Sequence, residues 1–253
     1  MMAFALYRIL DAKECDDKGL DVQRLAAALH RTPDAVALKI WNIAANDANR
    51  KAAGRVGMRH GSKLDAQIWE WFAEGGDDFL FDCIDLLHDT LATSPFTAEQ
   101  LATDRTSAVD VLTARLGRET KAVTMRRVNQ EYFRNSLMAN YECACCLTGL
   151  AVPKLLVASH IKPWAVSTPV EKTAASNGLL LNALHDKAFD QGLITIDHDY
   201  RIHVAHDAVP HTDANDRMLY AYEERPIQLP RINPPSHEFI DWHRRHVWLG
   251  TVA

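Results

Sequence analysis

No stretch of about 18 apolar residues occurs, so no membrane-spanning helix is expected. The opening MMAFALYRILDAKECDDK is apolar at first, but no basic segment precedes it and acidic residues follow, so neither a signal peptide nor an anchor is expected. Glycine and proline are not in excess, which excludes a collagen-like or low-complexity chain. Cysteine is scarce and odd in number: Cys15, Cys83, Cys143, Cys145 and Cys146. Three of them crowd into four positions, a poor disulfide framework, and a reducing cytoplasmic setting is expected. Positive charge is also short, 28 Lys and Arg against 33 Asp and Glu. That excludes a uniformly basic nucleic-acid binder but leaves room for a local basic face.

The 253 residues are enough for two domains with separate cores. Residues 1–95 read as a helical, DNA-recognition domain, 96–120 as a linker with one helical piece, and 121–253 as a second domain ending in a helix. In the first, VQRLAAAL and PDAVALKIWNIAAN are separated by the short break HRT. Thr32 suits the N-cap, Pro33 the first helical position and Asp34 the positive helix end. A short helix, a tight turn and a capped second helix make a helix-turn-helix pattern. Arg31, Lys39, Asn42 and Asn46 are the residues there that could reach DNA, whereas Ala37, Ile40 and Trp41 must largely pack. A basic loop with Arg50, Lys51, Arg55, Arg59 and Lys63 could touch phosphates. LDAQIWEWFAEG and FLFDCIDLLHDTLA restore helical periodicity.

From Arg126 the pattern changes. VNQEYFRNSLMANY reads as a helix with Phe133, Leu137 and Tyr141 on one face, and ECACCLTGL as a turn. KLLVASHI is a short strand-like run ending near His160, and NGLLLNAL a second one after a polar loop. HDKAFDQG is a short helix with Gly192 as its C-cap, and GLITIDHDYRIHVA a hairpin turning near Asp197–Asp199. HEFIDWHRRHVWLG closes the chain as an amphipathic helix.

The order strand–His, loop, Asn–strand, short acidic helix resembles the HNH nuclease family, whose core is a β-hairpin followed by a helix around one divalent metal. The resemblance rests on NQEYFRNSLMANYECACCLTG, on ASHIKPW around His160 and on NGLLLNALHDKAFDQGLI from Asn177, and spans roughly residues 121–205. RTPDAVALKIWNIAAND with SKLDAQIWEWF is similar to the N-terminal half of predicted bacterial HNH restriction endonucleases. The implied fold is α+β: a helix-turn-helix-like N-terminal domain, then a ββα-metal HNH domain with flanking helices.

The implied chemistry is hydrolysis of DNA phosphodiester bonds, of restriction or phage-defence type. The resemblance makes His160 the general base, a task suited to imidazole near neutral pH, and Asn177 the residue that ties the loop and orients it. Better-known members carry helix ligands nine and thirteen residues after the central Asn, which land on Asp186 and Asp190. Two carboxylates at i and i+4 share a helix face and favour one Mg²⁺ or Mn²⁺ ion per site. His185, one residue before the position where many members carry His, is a further ligand candidate. Ser159 replaces the Asp or His of several members and is a weak ligand. Arg134, Lys162 and Lys187 are candidate phosphate contacts.

Other readings stay open. Asp186 could be no more than a first-turn helix acid, and Arg134 could pair with a carboxylate. Cys143 and Cys146 form a C-x-x-C, but no second pair follows, so a structural Zn²⁺ site is not expected. DNA is the expected partner and no membrane is, while a homodimer would suit double-strand cutting. Ser159 and the altered helix ligands support an alternative, a DNA-binding protein with a degenerate, inactive HNH core. A protein-recognition module is the other rival.

Overall fold

The computed structural model describes residues 1–52, 62–93, 107–116 and 121–251. Arg55 and Arg59 of the basic loop, and much of the 96–120 segment, lie outside the described residues. The chain divides into two compact units, Met1–Tyr132 and Phe133–Ala253.

The first unit is helical: α1 (Met2–Ile9), α2 (Leu20–Ala28), α3 (Pro33–Ala44), α4 (Ala48–Ala52), α5 (Lys63–Ala92), α6 (Ala108–Leu116) and the first part of α7 (Lys121–Asn140). The Thr32 hydroxyl caps α3 by accepting from the Ala35 N–H, with Pro33 at the first helical position. The two periodic stretches read between 64 and 92 join in α5, which bends at Gly76 with φ 54, a conformation that a Cβ would oppose. Phe4, Leu25, Ile40, Phe72, Leu80 and Ile84 form the core, and Val109, Leu112, Met125 and Val128 join it. Asp21 on α2 holds the start of α6, accepting from the Ser107 hydroxyl at 2.7 Å and the Ala108 N–H at 3.0 Å. The division between the two compact units falls inside α7, and apolar residues of α6 and early α7 are buried in this helical core.

The second unit begins on the last part of α7, where Phe133, Leu137 and Tyr141 are buried as the i, i+4, i+8 pattern requires. β1 (Leu156–His160) pairs antiparallel with β2 (Gly178–Asn182), in a register that sets His160 opposite Gly178 and Leu156 opposite Asn182. β2 runs directly into α8 (Ala183–Asp190). β3 (Ile194–Ile196) and β4 (Ile202–Val204) form a second antiparallel pair, followed by α9 (Asp213–Met218) and α10 (His237–His246). These short strand pairs among helices are compatible with the α+β class. No helix among the described residues is long and apolar enough to cross a membrane.

His243 pins α10 to the rest of the unit. Its ring stacks on Phe189 at 3.8 Å, Nε2 donates to the Phe189 carbonyl at 3.0 Å, and Nδ1 accepts from the Thr195 hydroxyl at 3.0 Å. Burial pushes its pKa down to about 4 from 6.5. The unfolded chain therefore takes up this proton first as pH falls, so the residue's contribution is complete above about pH 6.5 and lost towards pH 4. The shift corresponds to about 3 kcal/mol. Urea unfolding as a function of pH should show a steeper acid-side loss for the parent than for His243→Gln, and parallel curves would refute this origin.

Candidate active site

The site grows from the β1–β2 hairpin and α8. Gly178 is required by close approach: a Cβ there would lie 2.6 Å from both Phe133 and Leu137. Because residue 178 faces residue 160 across the hairpin, that approach brings Phe133 beneath His160. The two rings stack at 3.8 Å, and Trp164 meets the imidazole edge-on at 5.6 Å. His160 Nε2 lies 3.0 Å from the Lys172 carbonyl. A carbonyl only accepts, so Nε2 carries the proton and Nδ1 carries the lone pair. Burial holds the imidazole pKa below its ordinary value, opposed by the Lys172 carbonyl, so the ring is neutral at pH 7.

Asn177 is fully buried and organises the loop that delivers this carbonyl. Its Oδ1 accepts from the Lys162 N–H at 2.8 Å, and Nδ2 donates to the Glu171 carbonyl at 3.1 Å and the Lys162 carbonyl at 3.2 Å. The loop has a second tie. Lys162 Nζ donates to both Glu171 carboxylate oxygens, at 2.8 and 2.9 Å. Glu171 also accepts from the Thr168 N–H at 2.7 Å while its own N–H donates to the Thr168 hydroxyl at 3.3 Å. This reciprocal Thr-x-x-Glu pair has the bonding of a capping box, a spacing that is legible in the sequence.

On α8, Asp186 is half-buried and Asp190 exposed. Burial raises both carboxyl pKa values, and the Asp186 charge raises that of Asp190 further, while Lys187 lowers each. The two carboxylates thus repel each other. The Ser159 hydroxyl is buried beside Asp186 and lowers its pKa, yet has no hydrogen bond of ordinary geometry among the described residues. An orphaned hydroxyl and two mutually repelling carboxylates fit a hard divalent cation, which prefers oxygen donors.

The remaining candidates have other places. His185 is buried, with Nδ1 3.1 Å from Asn182 Oδ1 and Nε2 2.9 Å from the Met218 carbonyl, and its ring lies edge-on to Tyr222. Nε2–H donates to the Met218 carbonyl and ties α8 to the end of α9, while the lone pair of the neutral ring stays on Nδ1, against the Asn182 oxygen of the α8 cap. Arg134 Nη1 donates to the Leu156 carbonyl at 2.7 Å and Nη2 to the Pro153 carbonyl at 2.8 Å, clamping the entry to β1. Its fork is spent on backbone rather than on a phosphate. Lys162 is likewise committed to Glu171. Lys187 stays exposed on α8, with no hydrogen-bond or ion-pair partner among the described residues, and is open to a phosphate.

Residues 145–197 match the family described as HNH endonuclease, which supports an HNH assignment for this part of the chain. A search of curated proteins gave no match.

Proposed function

We propose that the HNH endonuclease domain of this chain hydrolyses DNA phosphodiester bonds, with His160 Nδ1 as the general base. The carrying observation is the imidazole itself: neutral, sandwiched against Phe133, and committed through Nε2–H to the Lys172 carbonyl so that Nδ1 alone can take a proton. A water proton passes to Nδ1, the water oxygen bonds to phosphorus, and the bond to the 3′ oxygen breaks. Asp186 and Asp190, with Ser159 beside them, are the residues that would hold a divalent cation. Bound there, Mg²⁺ or Mn²⁺ supplies charge neutralisation at the phosphate and the leaving 3′ oxygen. Lys187, exposed on the same helix, is the assigned phosphate contact, and Phe133 and Trp164 hold the base against rotation.

The helical unit is assigned the task of positioning DNA. The α2–α3 pair, joined by residues 29–32 with a capped second helix, supports a helix-turn-helix reading. Of its four polar candidates, Lys39 is ion-paired with the buried Asp65 and the Asn46 amide donates to the Asn42 carbonyl at 3.2 Å. Arg31 is exposed and offers the more direct contact. A nuclease joined to such a unit suits a restriction or phage-defence role.

The test of the base is a pH–rate profile of DNA cleavage. Its acid limb should fall below the ordinary imidazole value near 6.5, because burial lowers the His160 pKa and activity needs the neutral ring. A limb at or above that value would reject His160 in this role. Asn177→Ala should also slow cleavage, since the loop loses its central tie, and destabilise the protein by about 1–3 kcal/mol. Unfolding and cleavage measured on the same sample check both parts. Unchanged cleavage would leave Asn177 with a folding role only.

A further inference from the structure

We propose a second metal site, remote in sequence from Asp186 and Asp190, formed by His203, Glu223 and Glu224 and suited to a Zn²⁺-class ion. It stands independently of the nuclease reading. Ligand atoms of the three residues all lie within 4.8 Å of one another. His203 Nδ1 is 3.4 Å from Glu224 Oε1 and 3.6 Å from Glu223 Oε1. On the opposite edge of the ring, Nε2 lies 2.8 Å from Asp197 Oδ2. A neutral imidazole has one proton, and the Asp197 contact claims it, so the Nδ1 lone pair then faces two further acceptors. Something positive belongs among them. No lysine or arginine pairs with either glutamate among the described residues.

The outer contacts are those of a built site. A metal-binding histidine commonly donates its other N–H to a carboxylate, as His203 does to Asp197. Glu223 Oε2 is fixed by the Val204 N–H at 2.7 Å, which leaves Oε1 for the centre of the group. Backbone hydrogen bonds hold the ligand-bearing segments side by side: the Glu224 N–H donates to the Ile202 carbonyl at 2.8 Å, and the Ile202 N–H to the Arg225 carbonyl at 3.0 Å. His206 Nε2 lies 4.0 Å from Glu223 Oε1, at the edge of the group. One imidazole with two carboxylates favours Zn²⁺ or a similar transition ion over Mg²⁺. Such an ion would brace β4 against the 223–226 segment.

The experiment is Zn²⁺ binding by the full chain, read by calorimetry and by metal content after dialysis. An Asp186→Asn/Asp190→Asn background removes the other carboxylate pair. In it, one Zn²⁺ should bind, and adding Glu223→Gln/Glu224→Gln should weaken binding by more than about 100-fold. Glutamine keeps an oxygen for the Val204 N–H, and circular dichroism confirms that the variant is folded. No Zn²⁺ binding in the background protein, or equal binding after the glutamine substitutions, overturns the site. An imidazole NMR titration showing His203 protonated at pH 7.5 and unmoved by Zn²⁺ does the same, since a proton would then occupy the place assigned to the metal. Cleavage is not the readout, so failure here leaves the active-site assignment standing.

Discussion

His160→Ala should lower DNA cleavage by about 10²–10⁴-fold, the usual contribution of a positioned general base. The substitution also removes a ring stacked on Phe133 and a hydrogen bond to the Lys172 carbonyl, so some stability is lost with it. Phe133→Leu separates the two effects: it removes the stacking partner but leaves Nδ1 and its lone pair in place. Cleavage under single-turnover conditions should therefore fall far more in His160→Ala than in Phe133→Leu, at matched folded fraction. Similar losses in both would mean that packing, not proton transfer, accounts for the effect.

Asp186→Asn with Asp190→Asn should reduce cleavage by about 10²–10³-fold, the several kcal/mol that a phosphate-bound cation contributes. The same change carries a second sign that a merely disruptive substitution would not. Both carboxyl pKa values are raised, by burial first and for Asp190 by the neighbouring charge as well, so the ionised pair opposes folding when no cation is present. In EDTA, the double Asn protein should melt at or above the temperature of the parent. With Mg²⁺ or Mn²⁺ added, the parent should gain thermal stability and the double variant should not. Loss of melting temperature in EDTA, or equal metal stabilisation of both proteins, would remove the two aspartates from the cation site.

The parts of the architecture that were legible in the sequence depend on neighbours close in the chain. Thr32-Pro33-Asp34 announces α3, and the apolar runs ending at His160 and starting after Asn177 become the paired strands β1 and β2. Gly192, with φ 69, follows the end of α8 as a left-handed cap residue should. Side-chain commitments were harder to read because their partners are remote. Nothing local to Arg134 reveals that its guanidinium meets carbonyls 19 and 22 residues later. His185 sits beside Asp186 in the sequence, but its N–H is committed to a carbonyl 33 residues on. The extent of the helical core was hidden for the same reason: α6 looks weakly apolar until Val109 and Leu112 meet residues from α1–α5. The Lys162–Glu171 pair is the intermediate case, since the Thr168-x-x-Glu171 box signals the loop's shape but not the lysine that closes it.

A working, cation-dependent nuclease and a DNA-binding remnant differ in what they do to DNA. Plasmid DNA incubated with the unaltered chain in Mg²⁺, Mn²⁺ or EDTA separates the two most directly. Nicking or linearisation with Mg²⁺ or Mn²⁺, abolished by EDTA, is the predicted result. Intact plasmid under every condition, modified and unmodified DNA alike, with salt-dependent DNA binding retained, would contradict it.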